Sequence, residues 1–276
     1  MRRIILSGFA DEAAVRAEDQ MDVLEKNGVR HIEMRNVDGK HVLEHTDGEL
    51  RALGAKLRER GFGISAIGSP VGKSPITDGF APALELFKKA AGAALILGCR
   101  YVRGFSFYTP KGEDPWAYAG EALQRLGELV GIAEANGLVY ALENESGLFA
   151  DIPERIGYVF DNIRSESLAM AFDPGNFIFS GAEPVSAYEK LKKRVAYFHI
   201  KDARRGAEHF CPCGEGDADM ERLLAEAYGG GFSGYLSIEP HLGYMENLSD
   251  AQRFTAAADA LKATLGRALG PDLEMS

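Results

Sequence analysis

Asn136-Gly137-Leu138-Val139-Tyr140-Ala141-Leu142-Glu143 holds most of the fold argument in one stretch. Glycine suits the left-handed residue that closes a helix, so a helix is expected to end at Asn136. The run Leu138 to Leu142 is apolar at every position instead of alternating, which marks a strand buried on both faces, as parallel sheets require. Glu143 then sets a carboxylate at the C-terminal end of that strand. The same junction recurs where Asn27-Gly28 leads into Val29 to Met34, Arg60-Gly61 into Phe62 to Ile67, and Leu97-Gly98 into Cys99 to Val102.

The intervening segments carry helical spacing: Leu50, Leu53 and Leu57 in one, Leu123, Leu126, Val130 and Ala133 in another, and Phe254, Ala258, Leu261 and Leu265 in the last. Helix starts are marked by Asp114-Pro115, by Glu183-Pro184, and by Ser249 with Gln252 in the form of a capping box. Strands are predicted near 3–8, 29–35, 62–68, 99–106, 138–144, 168–173, 195–201 and 234–240, each followed by a helical segment. Eight alternating units predict closure into a (β/α)8 TIM barrel, with 1–276 as one domain and no Pro- or Ser-rich linker dividing it. An open doubly wound sheet usually has a glycine-rich phosphate loop after its first strand, and Ser7-Gly8-Phe9-Ala10-Asp11 is not one.

Composition narrows the function classes. Lys and Arg number 31 against 41 Asp and Glu, a formal net charge of -10, and no block of cations suggests a nucleic-acid footprint. Cys99, Cys211 and Cys213 are too few and too unevenly placed for a disulfide framework, and suit a reducing compartment. Met1-Arg2-Arg3 is followed by only a short apolar run, Ile4 to Leu6, and no run is long enough for a membrane helix. A cytoplasmic protein without membrane or nucleic-acid partners is therefore expected; a homo-oligomer is left open.

In a parallel barrel, functional side chains gather at the C-terminal strand ends. Four consecutive ends carry Glu143 in Ala-Leu-Glu-Asn-Glu, Asp173 in Ala-Phe-Asp-Pro-Gly-Asn, His199 in Phe-His-Ile-Lys-Asp, and Glu239 in Ser-Ile-Glu-Pro. Three carboxylates in a small buried volume are costly without a cation, so one divalent metal ion held by Glu143, Asp173, His199 and Glu239 is expected. Any one of them alone could equally be a salt-bridge partner or a helix cap. Mostly carboxylate ligation leans toward Mn2+ or Mg2+ and leaves Co2+ and Zn2+ open.

These four motifs, in this order, resemble the xylose isomerase-like barrel superfamily of sugar and sugar-phosphate isomerases and epimerases. Gly8-Phe9-Ala10-Asp11-Glu12, Ile32-Glu33-Met34-Arg35 and Gly68-Ser69-Pro70-Val71-Gly72-Lys73 add to the likeness. The resemblance implies the barrel, one divalent ion, and Glu143 and Glu239 as acid and base on opposite faces of a carbohydrate substrate. An ion that polarises a carbonyl stabilises the enediolate left when a proton departs from the neighbouring carbon, and two carboxylates can take and return that proton. It also implies that Arg205 holds substrate oxygens and that Lys201 orients Glu143 or touches substrate, against a solvated arginine and a buried ion pair with Asp202 or Glu239. Asn176 stands where many epimerases have a histidine, so it can bind substrate but carry no proton; Leu142 replaces another frequent histidine.

The leading expectation is an isomerase or epimerase acting on a sugar, sugar phosphate or polyol. The alternative is a lyase that dehydrates a keto-polyol or cleaves a 3-keto glycoside, since both begin with the same proton abstraction. An abasic-site endonuclease would need further histidines, where Gly68-Ser69 and Phe105-Ser106 stand, and a non-catalytic sugar-binding barrel would have no use for four intact ligands. Ser69, Lys73, Arg35 and Arg103 could contact a phosphate or be structural. Phe105, Phe107, Tyr108 and Trp116 could wall a sugar ring or complete the core. Cys211-Pro212-Cys213 is expected to be an ordinary loop, Asp217 a helix cap, and His31, His41, His45 and His241 structural or surface residues.

Overall fold

The computed structural model describes residues 4–270; Met1-Arg2-Arg3, which includes the first residue of the predicted first strand, lies outside the described residues. Eight strands form the barrel: β1 (Ile4–Gly8), β2 (His31–Met34), β3 (Gly63–Gly68), β4 (Tyr101–Gly104), β5 (Val139–Glu143), β6 (Leu168–Phe172), β7 (Val195–Ile200) and β8 (Gly234–Ile238). Every strand pairs in parallel with its sequence neighbours, and β8 pairs with β1, so no edge is left open. The predicted strands match these within two residues at each described end. Gly28, Gly61, Gly98 and Gly137 all take positive φ, between 65° and 76°, as the junction argument requires.

Helices from Ala17–Lys26 to Asp250–Leu269 cover the outside. The last begins with the expected capping box, Ser249 accepting from Gln252 N while Gln252 returns to Ser249 N. Its Phe254, Ala258, Leu261 and Leu265 are buried, and Phe254 lies so close to Gly8 that a methyl group there would approach its ring edge to 2.7 Å. Asp217 does not cap the helix Met220–Gly229: Asp219 occupies the cap position in a left-handed conformation without a side-chain bond, and Asp217 instead accepts from Arg205 N. Among the described residues, no helix is long and apolar enough to cross a membrane.

The interior of the barrel is layered. Its N-terminal half is filled by Ala66, Ala141, Ala171 and Tyr197, with Tyr101 and Tyr235 against them, and Tyr197 is pinned by a hydrogen bond between its hydroxyl and Ser65 Oγ at 2.7 Å. Side chains two positions apart on a strand share a face. Glu143 follows Ala141, Asp173 follows Ala171, His199 follows Tyr197 and Arg103 follows Tyr101, so the filler layer fixes which residues point inward at the C-terminal mouth.

Candidate active site

Glu143, Asp173, His199 and Glu239 come together at that mouth, all buried, and offer ligand atoms within 4.8 Å of one another. The ends of β5 and β6 are locked by Asn144, whose Nδ2 donates to Asp173 O and whose Oδ1 accepts from Asp173 N, both at 2.9 Å. Asp173 also caps the short helix Pro174–Phe179 through Asn176 N, at 2.9 Å, so the helix-cap reading holds beside the cluster geometry.

His199 has one nitrogen engaged and one open. Nε2 lies 3.1 Å from Glu33 Oε2, while Nδ1 faces the carboxylates, 3.2 Å from Glu143 Oε1 and 3.9 Å from Glu239 Oε2, without a hydrogen-bonding alignment to either. A buried imidazole nitrogen without a partner, among three carboxylates, is the donor set of a mixed nitrogen–oxygen metal site. The residues therefore fit a divalent ion.

Cations surround the cluster. Lys201 Nζ sits 2.6 Å from Glu239 Oε2 and 2.9 Å from Asp173 Oδ2, and Arg103 Nη1 sits 2.8 Å from Glu143 Oε2. Arg35 reaches Glu239 Oε1 at 3.5 Å while also pairing with Asp11 and Glu12. Burial raises the Glu143 carboxyl, but the neighbouring His199 and Arg103 outweigh it and hold the group below its ordinary range. For Asp173 burial wins over Lys201, aided by repulsion from Glu143 and Glu239, and the carboxyl rises to about 7. Burial opposes a proton on His199, yet Glu33 and Glu143 drive its pKa well up. The excess negative charge of the cluster thus favours a proton on Asp173 and on His199.

A cavity of about 400 Å3 opens over the cluster. Glu143, Glu239, Lys201 and Asn176 line it, Asn176 Nδ2 lying 2.9 Å from Asp173 Oδ2 and 3.2 Å from Glu143 Oε1. Arg205 is not among its lining residues: the side chain is exposed on the loop after β7 and pairs with Glu183, as in the solvated-arginine reading. His41 and His241, expected to be structural or surface residues, line the cavity instead, and His241 Nε2 lies 3.1 Å from Glu239 Oε1 and 3.2 Å from Glu12 Oε1. Burial lowers the His241 pKa, but Glu239 and Glu12 overcome it and raise it to about 9. Phe105 lines the cavity, Phe107 is core, Tyr108 bonds Glu145, and exposed Trp116 packs edge-on against Phe149 and Tyr158. Cys211 and Cys213 are free thiols.

Glu33 had no role assigned from sequence, and Arg103 only that of a phosphate contact or a structural residue. Both interrupt otherwise apolar strands, and a charge inside a doubly buried strand demands a partner. That demand was the available signal.

The xylose isomerase-like TIM barrel family profile matches residues 21–264. Among curated proteins, an inosose dehydratase of Clostridium perfringens is 25% identical over 146 residues, 46% of this chain and 48% of the relative. Inosose dehydratase 2 of Bacillus cereus is 29% identical over 93 residues, 34% of this chain and 30% of the relative. The aligned part thus spans about half the length, or less, of these curated relatives. Among solved structures, the IOLI protein with a bound zinc atom superposes with a TM-score of 0.82 at 18% identity, covering 98% of this chain and 100% of that one. The probable 3-DHS dehydratase AsbF of Bacillus anthracis gives 0.75 at 15% identity, covering 95% and 99%. At these identities the structural likenesses speak for the fold.

Proposed function

The chain belongs to the xylose isomerase-like TIM barrel family, and from that premise we propose that it is a divalent-metal-dependent lyase that removes water from a cyclic polyol ketone. The observation that carries this reading is the buried cluster of Glu143, Asp173, His199 and Glu239, with His199 Nδ1 unpartnered, beneath a cavity of about 400 Å3. A divalent ion held there would supply Lewis-acid polarisation of the substrate carbonyl. Manganese, magnesium, cobalt and zinc all suit the donor set, and zinc is the ion named for one structural neighbour.

Of the cluster's three carboxylates, Glu143 and Glu239 reach the cavity. One takes the proton from the carbon beside the carbonyl. The C–H electrons form the new carbon–carbon double bond, and the β-hydroxyl departs as water with that same proton, handed on by the carboxyl group that took it. Lys201 and Asn176, which bridge the cluster and the cavity, hold the carboxylates in place, and Lys201 keeps a third N–H for a substrate oxygen. No contact supports a substrate role for Arg205.

Isomerisation or epimerisation, the first expectation from sequence, shares the proton abstraction and differs in where the proton returns. The names of the curated relatives support the dehydratase instead. The test is to incubate metal-loaded protein with an inosose in deuterated water, following the ultraviolet absorbance of the dehydrated product and deuterium in recovered substrate. Absorbance growth that is lost in His199→Ala and Glu239→Ala, together with their bound metal, supports the lyase. Deuterium exchange or a new stereoisomer without dehydration would return the assignment to the isomerase.

A further inference from the structure

One wall of the cavity carries an ion pair that stands apart from the cluster. Lys73 Nζ lies 2.6 Å from Glu145 Oε2 and 4.5 Å from the centroid of the Phe105 ring, and Tyr108 Oη donates to Glu145 Oε1 at 3.1 Å. The backbone beneath it is tied down: Phe105 N bonds Val71 O, Phe107 N bonds Gly72 O, Tyr108 N bonds Ser74 O and Phe149 N bonds Phe107 O, at 2.8 to 3.0 Å. The loops after β3, β4 and β5 therefore form one platform that presents Lys73 and Glu145 to the cavity. An ammonium has three donors and gives one to Glu145; each oxygen of Glu145 keeps acceptor capacity. A fixed donor beside a fixed acceptor complements a hydroxyl group, which is both.

The charge around the cavity decides between a hydroxyl and an anion. Arg35, Lys73, Arg103 and Lys201 are each in contact with a carboxylate, and the network holds seven of these: Asp11, Glu12, Glu33, Glu143, Glu145, Asp173 and Glu239. At formal charges, seven carboxylates against four cations leave −3. A divalent ion brings the site to −1, and a charged His241 only to zero. No cation is left over for a phosphate or a carboxylate, whose desolvation on entering would go uncompensated.

We propose that Lys73 and Glu145 are a specificity-determining pair that binds neighbouring hydroxyls of an uncharged cyclic polyol, and that the cavity disfavours phosphorylated or carboxylated counterparts. The proposal rests on the reading of this cavity as the substrate site. Calorimetric titration of Mn2+-treated protein with myo-inositol, myo-inositol 1-phosphate and quinate tests it, alongside Lys73→Met and Glu145→Gln. The uncharged ring is expected to bind at least about tenfold tighter than either charged ring, and each substitution to weaken it about tenfold while thermal melts show a folded protein.

Equal or tighter binding of a charged ring, absence of binding by all three, or variants that bind as the wild type does would each overturn the proposal. Metal content measured on the same samples separates the two ideas. Arg35, Lys73, Arg103 and Lys201 are each paired with a carboxylate whether or not the ion is present, so the preference is expected with or without it. Wild-type protein that takes up no metal but prefers the uncharged ring sinks the metal-dependent reading alone; metal-loaded protein that prefers a charged ring sinks this inference alone.

Discussion

Glu33 Oε2 lies 3.1 Å from His199 Nε2, with both side chains fully buried, so the carboxylate on β2 orients the imidazole on β7 across the barrel. By accepting the hydrogen bond from Nε2–H it leaves the Nδ1 lone pair free to face a divalent ion among Glu143, Asp173 and Glu239. Glu33→Gln, which can present its amide N–H to Nε2 and so favour the wrong tautomer, is expected to lower divalent-ion affinity by about 10- to 100-fold with the fold retained. Competition with a chromogenic chelator measures this directly. Unchanged affinity would show that Glu33 only fills space.

Removing the ion has a thermodynamic signature of its own. Three carboxylates crowd one site, and a ligand bound only by the folded state stabilises it by about 2.7 kcal/mol when present at 100 times its Kd. Chelator-treated protein is therefore expected to melt several degrees lower, with Tm restored by Mn2+ or Zn2+ in the wild type and not in His199→Ala. A wild-type Tm indifferent to chelator and to added ion would count against the centre.

The barrel was legible because its signals are repeated: left-handed glycines close the helices before β2, β3, β4 and β5, and a continuous apolar run follows each one. Glu143, Asp173, His199 and Glu239 were legible for a local reason, each ending such a run. Glu33 and Arg103 were less so, because they lie within strands, where inward or outward direction is set by register and by the filler layer of Tyr101, Ala141 and Tyr197. His241 depends on a loop turn at φ 47° that sequence spacing does not encode. Arg205 shows the reverse case: its motif position suggested a substrate contact, whereas the loop after β7 turns its side chain to Glu183.

Arg103 sits with its guanidinium carbon 4.6 Å from the Phe105 ring centroid and 5.6 Å from that of Phe9, and pairs with Glu143 inside the barrel. Arg103→Met would leave a buried carboxylate without that partner and is expected to destabilise metal-free protein by about 3–5 kcal/mol. Adding Glu143→Gln to it should recover part of the loss, giving a non-additive cycle in urea unfolding. Arg103→Lys keeps the charge but loses the planar stack and is expected to fall between the two. Strict additivity of Arg103→Met and Glu143→Gln would mean that the pair contributes no coupling.

Asp202 governs the loop that brings Phe210 to the cavity. Its buried carboxylate accepts from Ala203 N at 2.8 Å and from Gly214, Gly216 and Ala218 N at 3.1 Å, folding the loop back on the end of β7. A methyl group at Gly216 would collide with Asp202 Oδ1 and Ala203 O, so the close approach itself requires glycine. Phe210 then packs under Lys201, whose ammonium lies 4.6 Å from the ring centroid, and edge-on to His241 at 5.3 Å. Asp202→Ala strands several backbone donors and is expected to cost about 2–4 kcal/mol of stability. Gly216→Ala is expected to loosen the same loop. Because His199 is fixed by the strand and Phe210 by the loop, both variants should bind myo-inositol more weakly in calorimetry while keeping their divalent-ion affinity. Loss of metal in parallel with loss of polyol binding would show instead that the loop supports the cluster itself.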